Sequence, residues 1–307
     1  MSSIESLLIT GSNGFVGQSF LSYLKNKPKN ELPSKIILVN RNKPMQVSPE
    51  LKSKSEVIFL ETDLTKEWDF NLKTTHVLNL AGDGSSNAYS MDSGQNFVKI
   101  CNNLSYWAST NKPRVIVHAS SGACFFTASK NKEFMNKAHL IDSRLQGESI
   151  LSKLKESLEV NVILARLFTF IGPNMLTKQQ YAAPFFIREA INKKLIKVTG
   201  NPNTVRSYMH ESTMSDWLFN SLQTNKMEGI ISVGSSIPVT IREMVEFISS
   251  ITNSEVVFEN PNSEMSVYLP SIQNEIDSLG VSDGPKWQDS VEECINISNR
   301  RGEYFGR

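Results

Sequence analysis

Cysteine is scarce in this chain. Cys101, Cys124 and Cys294 are the only three, and they stand far apart. There is no Cys-x-x-Cys pair and no even framework, which argues against a disulfide scaffold and against a structural zinc site of the usual spacing. An excess of one charge is also lacking. The formal net charge is +1, so composition gives no electrostatic case for nucleic acid as a partner. The basic pairs Lys193-Lys194 and Arg300-Arg301 are short and read as solvated surface. No apolar run approaches the roughly 18 residues of a membrane helix. Internal repeats and low-complexity tracts are absent. A strand-like run begins within a few residues of Met1, so no signal peptide is expected and a soluble cytoplasmic protein is.

What is present is ordinary in bulk and specific in detail. With 307 residues, 39% of them apolar, the chain suits one large α/β domain or a main domain with a smaller one attached. Short apolar, mostly β-branched runs recur: Leu7–Thr10, Ile36–Val39, Val57–Leu60, His76–Leu80, Val115–His118 and Asn161–Ala165. Each has the length of a strand buried on both faces, and the gaps are long enough for crossover helices. The alternation predicts a Rossmann-type, doubly wound parallel sheet with right-handed crossovers. Helices are predicted over Gln95–Asn111 and Ser143–Glu156. After Arg166, prolines at 173, 184, 202, 238, 261 and 270 break the rhythm. A smaller C-terminal α/β domain is expected there, with residues 1–168 forming the main domain and 169–307 the second. A helix near Ser215–Leu222 and a strand near Gly229–Val233 are expected to rejoin the first sheet.

The first run flows into Gly11-x-x-Gly14-x-x-Gly17, with Thr10 before it and Phe15-Val16 after the second glycine. After a strand and before a helix, this spacing permits a tight turn and close backbone approach to a pyrophosphate at the helix N-terminus. The alternative is a bare strand–helix turn. At the end of the second strand, Asn40-Arg41-Asn42-Lys43 carries no acid to bind ribose hydroxyls and repel a 2′-phosphate. Arg41 can pair with such a phosphate, so NADP is favoured over NAD. Otherwise Arg41 and Lys43 are loop charges.

With Thr10, this glycine loop resembles the extended short-chain dehydrogenase superfamily and, within it, the NAD-dependent epimerase/dehydratase family acting on nucleotide sugars. Similar stretches follow in order: Thr62-Asp63-Leu64, Asn79-Leu80-Ala81-Gly82, His118-Ala119-Ser120-Ser121-Gly122-Ala123, Arg166 to Pro173, Arg206-Ser207-Tyr208-Met209-His210, Gly229 to Gly234 and Val239 to Glu243. The resemblance implies that Gly11, Asn13, Gly14, Phe15, Val16, Gly17, Asn40, Arg41, Asp63, Leu64, Leu80, Ala81 and Gly82 line the NAD(P) site. Asp63 would meet the adenine. It also implies that Thr169 and Arg206 contact a nucleotide-diphosphate sugar, Arg206 through its phosphates, with Phe185-Phe186-Ile187 packing over the base. A homodimer through the two predicted helices is expected on the same ground.

The family's catalytic set is damaged here. Its serine or threonine, which hydrogen-bonds the reacting sugar oxygen, matches Ser121; the bland alternative is a strand-end serine capping backbone. The tyrosine base and the lysine four residues on align with Leu140 and Arg144. These share a helix face. Leucine cannot move a proton. Arginine keeps a charged donor fork, so Arg144 is expected to hold ribose hydroxyls. His139, Asp83 and Cys124 are the candidate replacements, each read first as structural or solvated. Two functions stay open: a nucleotide-sugar epimerase, dehydratase or reductase of surface-polysaccharide synthesis, or an inactive relative that binds NAD(P) as a sensor or partner subunit.

Overall fold

The computed structural model describes residues 4–42, 47–70, 72–82, 90–175 and 181–301. Lys43 and Asp83 lie outside these residues. Six strands come first: β1 (Ser6–Thr10), β2 (Lys35–Asn40), β3 (Glu56–Glu61), β4 (His76–Asn79), β5 (Val115–Ser121) and β6 (Asn161–Leu167). The short strands β7 (Phe170–Ile171), β8 (Leu195–Val198), β9 (Val205–Arg206) and β10 (Met209–His210) follow, then β11 (Gly229–Val233), β12 (Val239–Thr240) and β13 (Glu255–Phe258). The helices are α1 (Phe15–Asn26), α2 (Pro49–Lys54), α3 (Met91–Asn111), α4 (Lys132–Met135), α5 (Ala138–Leu158), α6 (Ala182–Lys193), α7 (Glu211–Gln223), α8 (Ile241–Thr252), α9 (Gln273–Leu279) and α10 (Trp287–Arg301).

A seven-stranded parallel sheet, in the order β11-β6-β5-β4-β1-β2-β3, forms the centre. Side chains alternate across it, as the two-residue period of a strand requires. Leu7 and Ile9 of β1 face one core, with Phe20 and Leu24 of α1 and Trp217 and Leu218 of α7. Leu8 faces the other, with Phe97 and Leu104 of α3 and Leu151 and Leu154 of α5. This double burial explains why the strands read as continuous apolar runs. It supplies the Rossmann-type α/β fold that the sequence predicts.

A third core lies apart from the sheet. Phe186 and Ile187 of α6, Met244 and Ile248 of α8, and Trp287 and Val291 of α10 pack there with Tyr208. A capping box between Thr240 and Glu243 starts α8. Three helices begin earlier than the sequence predicts, α7 among them, which His210 caps at Glu211. Ser90 caps α3 and starts it at Met91, and α5 starts at Ala138 because Leu140 and Ile141 bury its first turn.

The strand order reverses between β1 and β4, and the crevice beyond the strand ends at such a reversal is where open α/β sheets bind ligands. The glycine loop follows β1, Ala81-Gly82 follows β4, Ser121 ends β5, and Thr169 comes two residues after β6.

Candidate functional site

The glycine loop is held by backbone contacts that leave no room for side chains. Gly11 has φ +68, and a Cβ there would lie 2.8 Å from Ala81 N. A Cβ on Gly17 would lie 2.5 Å from Ser12 Cα. Thr10 ties the ends of β1 and β4 together: its hydroxyl donates to Asn79 Oδ1 (2.5 Å) and accepts from Leu80 N (3.1 Å) and Ala81 N (3.0 Å). Asn40 braces the loop from the next strand, donating to Ser12 Oγ (2.7 Å) and accepting from Asn13 N (3.4 Å). The Asn40 amide is thus turned onto the loop. Gly14 starts α1 with no side-chain cap, and the first turn carries no acid. An uncapped helix start of this kind presents backbone N–H donors and a positive dipole end.

Arg41 follows β2 on the exposed surface. Asp63 Oδ1 accepts from both the amide and the hydroxyl of Thr65, which holds its carboxyl below the usual range, with a smaller pull from Arg41. The Leu64 carbonyl is taken by Trp68 Nε1 and Asn103 Nδ2.

A cleft of about 1130 Å³ runs from Phe15 and Val16 of the loop past Ser121, Leu140, Arg144 and Thr169 to Arg206. Ser121 Oγ accepts from Ala123 N (3.2 Å) and faces the Tyr268 hydroxyl across the cleft lining. Burial pushes the Tyr268 phenol up, so it stays protonated. This tyrosine was not foreseen from the sequence. It arrives through the pairing of Val205 with Val267, in which Tyr268 N donates to Val205 O (3.0 Å), and no local spacing marks it.

Leu140 and Arg144 lie one helical turn apart on α5, both lining the cleft. Leu140 is 9% exposed. The Arg144 guanidinium lies 3.5 Å from the centre of the Phe97 ring. Burial first, and then the Arg144 charge, hold His118 down at about 3. A neutral His118 pairs with Asn79 (2.8 Å) and extends the Thr10–Asn79 chain under the cleft. Arg166 makes a two-pronged ion pair with Glu148 (2.9 and 2.7 Å), and Ser120 donates to the same carboxylate (2.5 Å). These residues lock β5 and β6 to α5 beneath Ser121.

Of the other candidates for a proton carrier, His139 and Cys124 do not line this cleft, and Asp83 lies outside the described residues. His139 could reach it only if the helix began at Leu140. The helix begins at Ala138, so the roughly 100° step between neighbours turns His139 to solvent. Cys124 is buried against Ser120 Oγ (3.9 Å), and burial raises its thiol pKa.

Arg206 is engaged at the far end. Its Nη2 donates to Glu133 Oε2 (2.6 Å) and Ser266 Oγ (3.0 Å), and its Nη1 to Val205 O (2.8 Å). Lys137 Nζ lies 2.7 Å from the other Glu133 oxygen. Burial pushes the Glu133 carboxyl up, but Arg206, Lys137 and the hydroxyl of Ser266 outweigh it and hold it at about 2.

The chain resembles solved structures over nearly its full length. A UDP-N-acetylglucosamine 4-epimerase from Methanobrevibacter ruminantium M1 matches with TM-score 0.77 at 18% identity, covering 98% of this chain and 100% of that one. A UDP-glucose 4-epimerase from Thermotoga maritima matches with TM-score 0.80 at 13% identity, covering 97% and 100%. DesIV, a dTDP-glucose 4,6-dehydratase from Streptomyces venezuelae, matches with TM-score 0.78 at 14% identity, covering 96% and 98%. At these identities the likeness establishes the fold. Among curated proteins, none matches the chain by sequence. The profile of the NAD dependent epimerase/dehydratase family matches residues 7–234, and with that span the chain belongs to this family.

Proposed function

We propose that the protein is an enzyme acting on a nucleotide-diphosphate sugar with a nicotinamide dinucleotide. The observation that carries this reading is the continuous cleft. It joins an uncapped helix start at the glycine loop to a pair of hydroxyls, Ser121 and Tyr268, and then to the cations Arg206 and Lys137. The similar structures support it by what they hold: UDP-glucose in the Thermotoga epimerase, and NAD in the Streptomyces dehydratase.

The loop fits a dinucleotide because its glycines leave a cradle that a Cβ would fill, with backbone N–H donors at its floor. Gly11, Asn13, Gly14, Phe15, Val16 and Gly17 would hold the pyrophosphate. Arg41 would take the 2′-phosphate of NADP, with Asp63 and Leu64 near the adenine. Leu80, Ala81 and Gly82 would flank the nicotinamide half, and Arg144 would offer its donor fork to ribose hydroxyls. When bound, the cofactor accepts and returns a hydride. The chain's own part is to orient the sugar. Ser121 and the protonated Tyr268 would hydrogen-bond the oxygen on the reacting carbon, and Thr169 would contact the sugar. Leu140 moves no proton, and among the tyrosines lining the cleft Tyr268 would be the phenol that serves beside Ser121.

Leu140 also favours a second reading, an inactive relative that keeps dinucleotide affinity as a sensor or partner subunit. Mass spectrometry of small molecules released on denaturing the freshly purified protein separates the two. A dinucleotide with a nucleotide sugar supports the enzyme. A dinucleotide alone, with no turnover on UDP- or dTDP-sugars, supports the sensor. We place the enzyme in cytoplasmic sugar supply for surface polysaccharide, as a homodimer through α3 and α5. A monomer mass in light scattering would overturn the dimer.

A further inference from the structure

The far end of the cleft has the donor set of an anion site, and an internal anion already occupies it. One edge of the Arg206 guanidinium, the Lys137 ammonium and the Ser266 hydroxyl all converge on the Glu133 carboxylate, at 2.6, 2.7 and 2.5 Å. A guanidinium fork with an ammonium and a hydroxyl is also what binds phosphate oxygens. All four residues line the cleft. They come from three separate stretches of chain, so the cluster belongs to the folded cleft.

The Glu133 side chain is more exposed than that of Arg206, 29% against 15%. Glu133 sits on α4, one turn of helix whose single buried residue is Phe134. Phe134 is fixed by stacking on Phe126 at 4.3 Å. The Glu133 side chain is 29% exposed, so its carboxylate can rotate toward water while α4 stays in place. Arg206 cannot follow, because Val205 O and Ser266 O hold its other nitrogen. Displacing the carboxylate therefore leaves the cationic fork in position.

We propose that Glu133 is the resident counter-anion of the cleft's phosphate site, and that the diphosphate of a nucleotide sugar binds by displacing its carboxylate from Arg206, Lys137 and Ser266. This rests on the nucleotide-sugar reading above and adds the residue that sets affinity there. A diphosphate replaces the one carboxylate with several phosphate oxygens. A single carboxylate ligand offers only what Glu133 already supplies, so the site selects against simple acids. The exchange is not gated by protons near neutral pH, because the two cations keep Glu133 ionised far below it.

The test is calorimetric titration of the full-length protein with UDP and, separately, dTDP, so the readout is binding and not turnover. A site available only in the fraction of molecules whose carboxylate has swung away has its apparent Kd raised by the inverse of that fraction. Glu133→Gln removes the competitor's charge and should tighten the better of the two probes by about 10-fold or more, as expected for a site that is open about a tenth of the time or less. Arg206→Ala in the Glu133→Gln background should abolish the gain. Unchanged or weaker binding by Glu133→Gln overturns the proposal, as does a gain that survives the loss of Arg206. If Glu133→Gln fails to fold, Glu133→Asp keeps the charge and all three donors but draws the carboxylate back from Arg206 by one methylene; a smaller gain is expected, and no gain overturns the proposal. If the wild-type protein and every variant bind neither probe, the nucleotide-sugar reading itself fails. Wild-type binding that Glu133→Gln leaves unchanged sinks only the role of Glu133.

Discussion

The two ends of the cleft are built on different principles. The glycine-loop end is written in the eight consecutive residues Thr10–Gly17 and held mostly by backbone: Gly11 against Ala81 and Gly17 against Ser12, with the Thr10 hydroxyl tying it to the end of β4. The hydroxyl end is assembled from side chains far apart in sequence. Ser121 comes from β5, Leu140 and Arg144 from α5, Arg206 from β9, and Tyr268 from the segment after β13. Backbone geometry tolerates almost no substitution, whereas a side-chain constellation can lose one group and gain another from elsewhere. That contrast explains how this chain carries leucine at position 140 beside an intact loop.

The contrast breaks most visibly at Gly17. Gly17→Ala should drive a Cβ into the Ser12 backbone, where no flexible side chain can yield. We expect a loss of about 3 kcal/mol, at the upper end of overpacking costs, and no thermal shift on adding NADH or NADPH. Gly14→Ala is the control, since its Cβ would meet only Gly11 O, at 3.3 Å. It should fold with a Tm close to wild type. If Gly17→Ala folds and binds normally, the loop is not the rigid end.

Ser121→Ala tests the other end, where we expect turnover to fall by roughly 10²–10⁴-fold, the size of lost proton-transfer assistance. UDP affinity should not change. Tyr268→Phe should lower turnover by less. The double variant should be no worse than Ser121→Ala, because two groups acting on one sugar oxygen are coupled. Additive losses in single-turnover kinetics would separate the two residues. An unchanged rate in Ser121→Ala would remove that hydroxyl from the mechanism.

The same contrast governs what the sequence reveals. Strands buried on both faces read as unbroken apolar runs, so β1, β2, β4, β5 and β6 are legible, and the edge strand β3 is legible through its own apolar run Val57–Leu60 although it is largely exposed. The glycine loop is legible because its constraints are local. Helix starts are less so, since tertiary burial of Leu140 and Ile141 extends α5 back to Ala138. Tyr268, Glu133 and Ser266 are not legible as site residues. Tyr268 comes to the Ser121 side of the cleft only because Val205 and Val267 pair. Glu133 meets Arg206 across 73 residues of chain. Only the folded chain brings these groups into contact.

A finer test falls on Arg41 at the loop end. If it clamps a 2′-phosphate, Arg41→Ala should weaken NADPH by about 10- to 100-fold, the equivalent of one charge-assisted contact. NADH should hardly change. Equal weakening in fluorescence titrations would rule out the NADP preference.

The smallest effect concerns the join behind the loop. Glu211 starts α7 and accepts from Asn174 N (3.0 Å), Asn174 Nδ2 (2.7 Å) and Ser19 Oγ of α1 (3.3 Å). Burial nevertheless pushes its carboxyl up to about 7. The unfolded chain releases this proton near pH 4.3. Between about pH 4.5 and 7 the folded protein therefore binds more protons at this site, and its stability falls as pH rises. Below that window the contribution is fully present, and above it the loss is complete. Other groups tilt the opposite way. Burial holds His118 at about 3, so its contribution is lost as pH falls below about 6.5. Only a difference between proteins isolates Glu211. Glu211→Gln stays neutral at every pH, so its unfolding free energy relative to wild type should be higher at pH 8 than at pH 5, by an amount on the order of 1–2 kcal/mol once coupling to its hydrogen bonds is discounted. A difference that stays flat with pH would mean that Glu211 ionises normally. The join between α1 and α7 would then be another tolerant contact, and the loop would stand alone as the rigid part of the molecule.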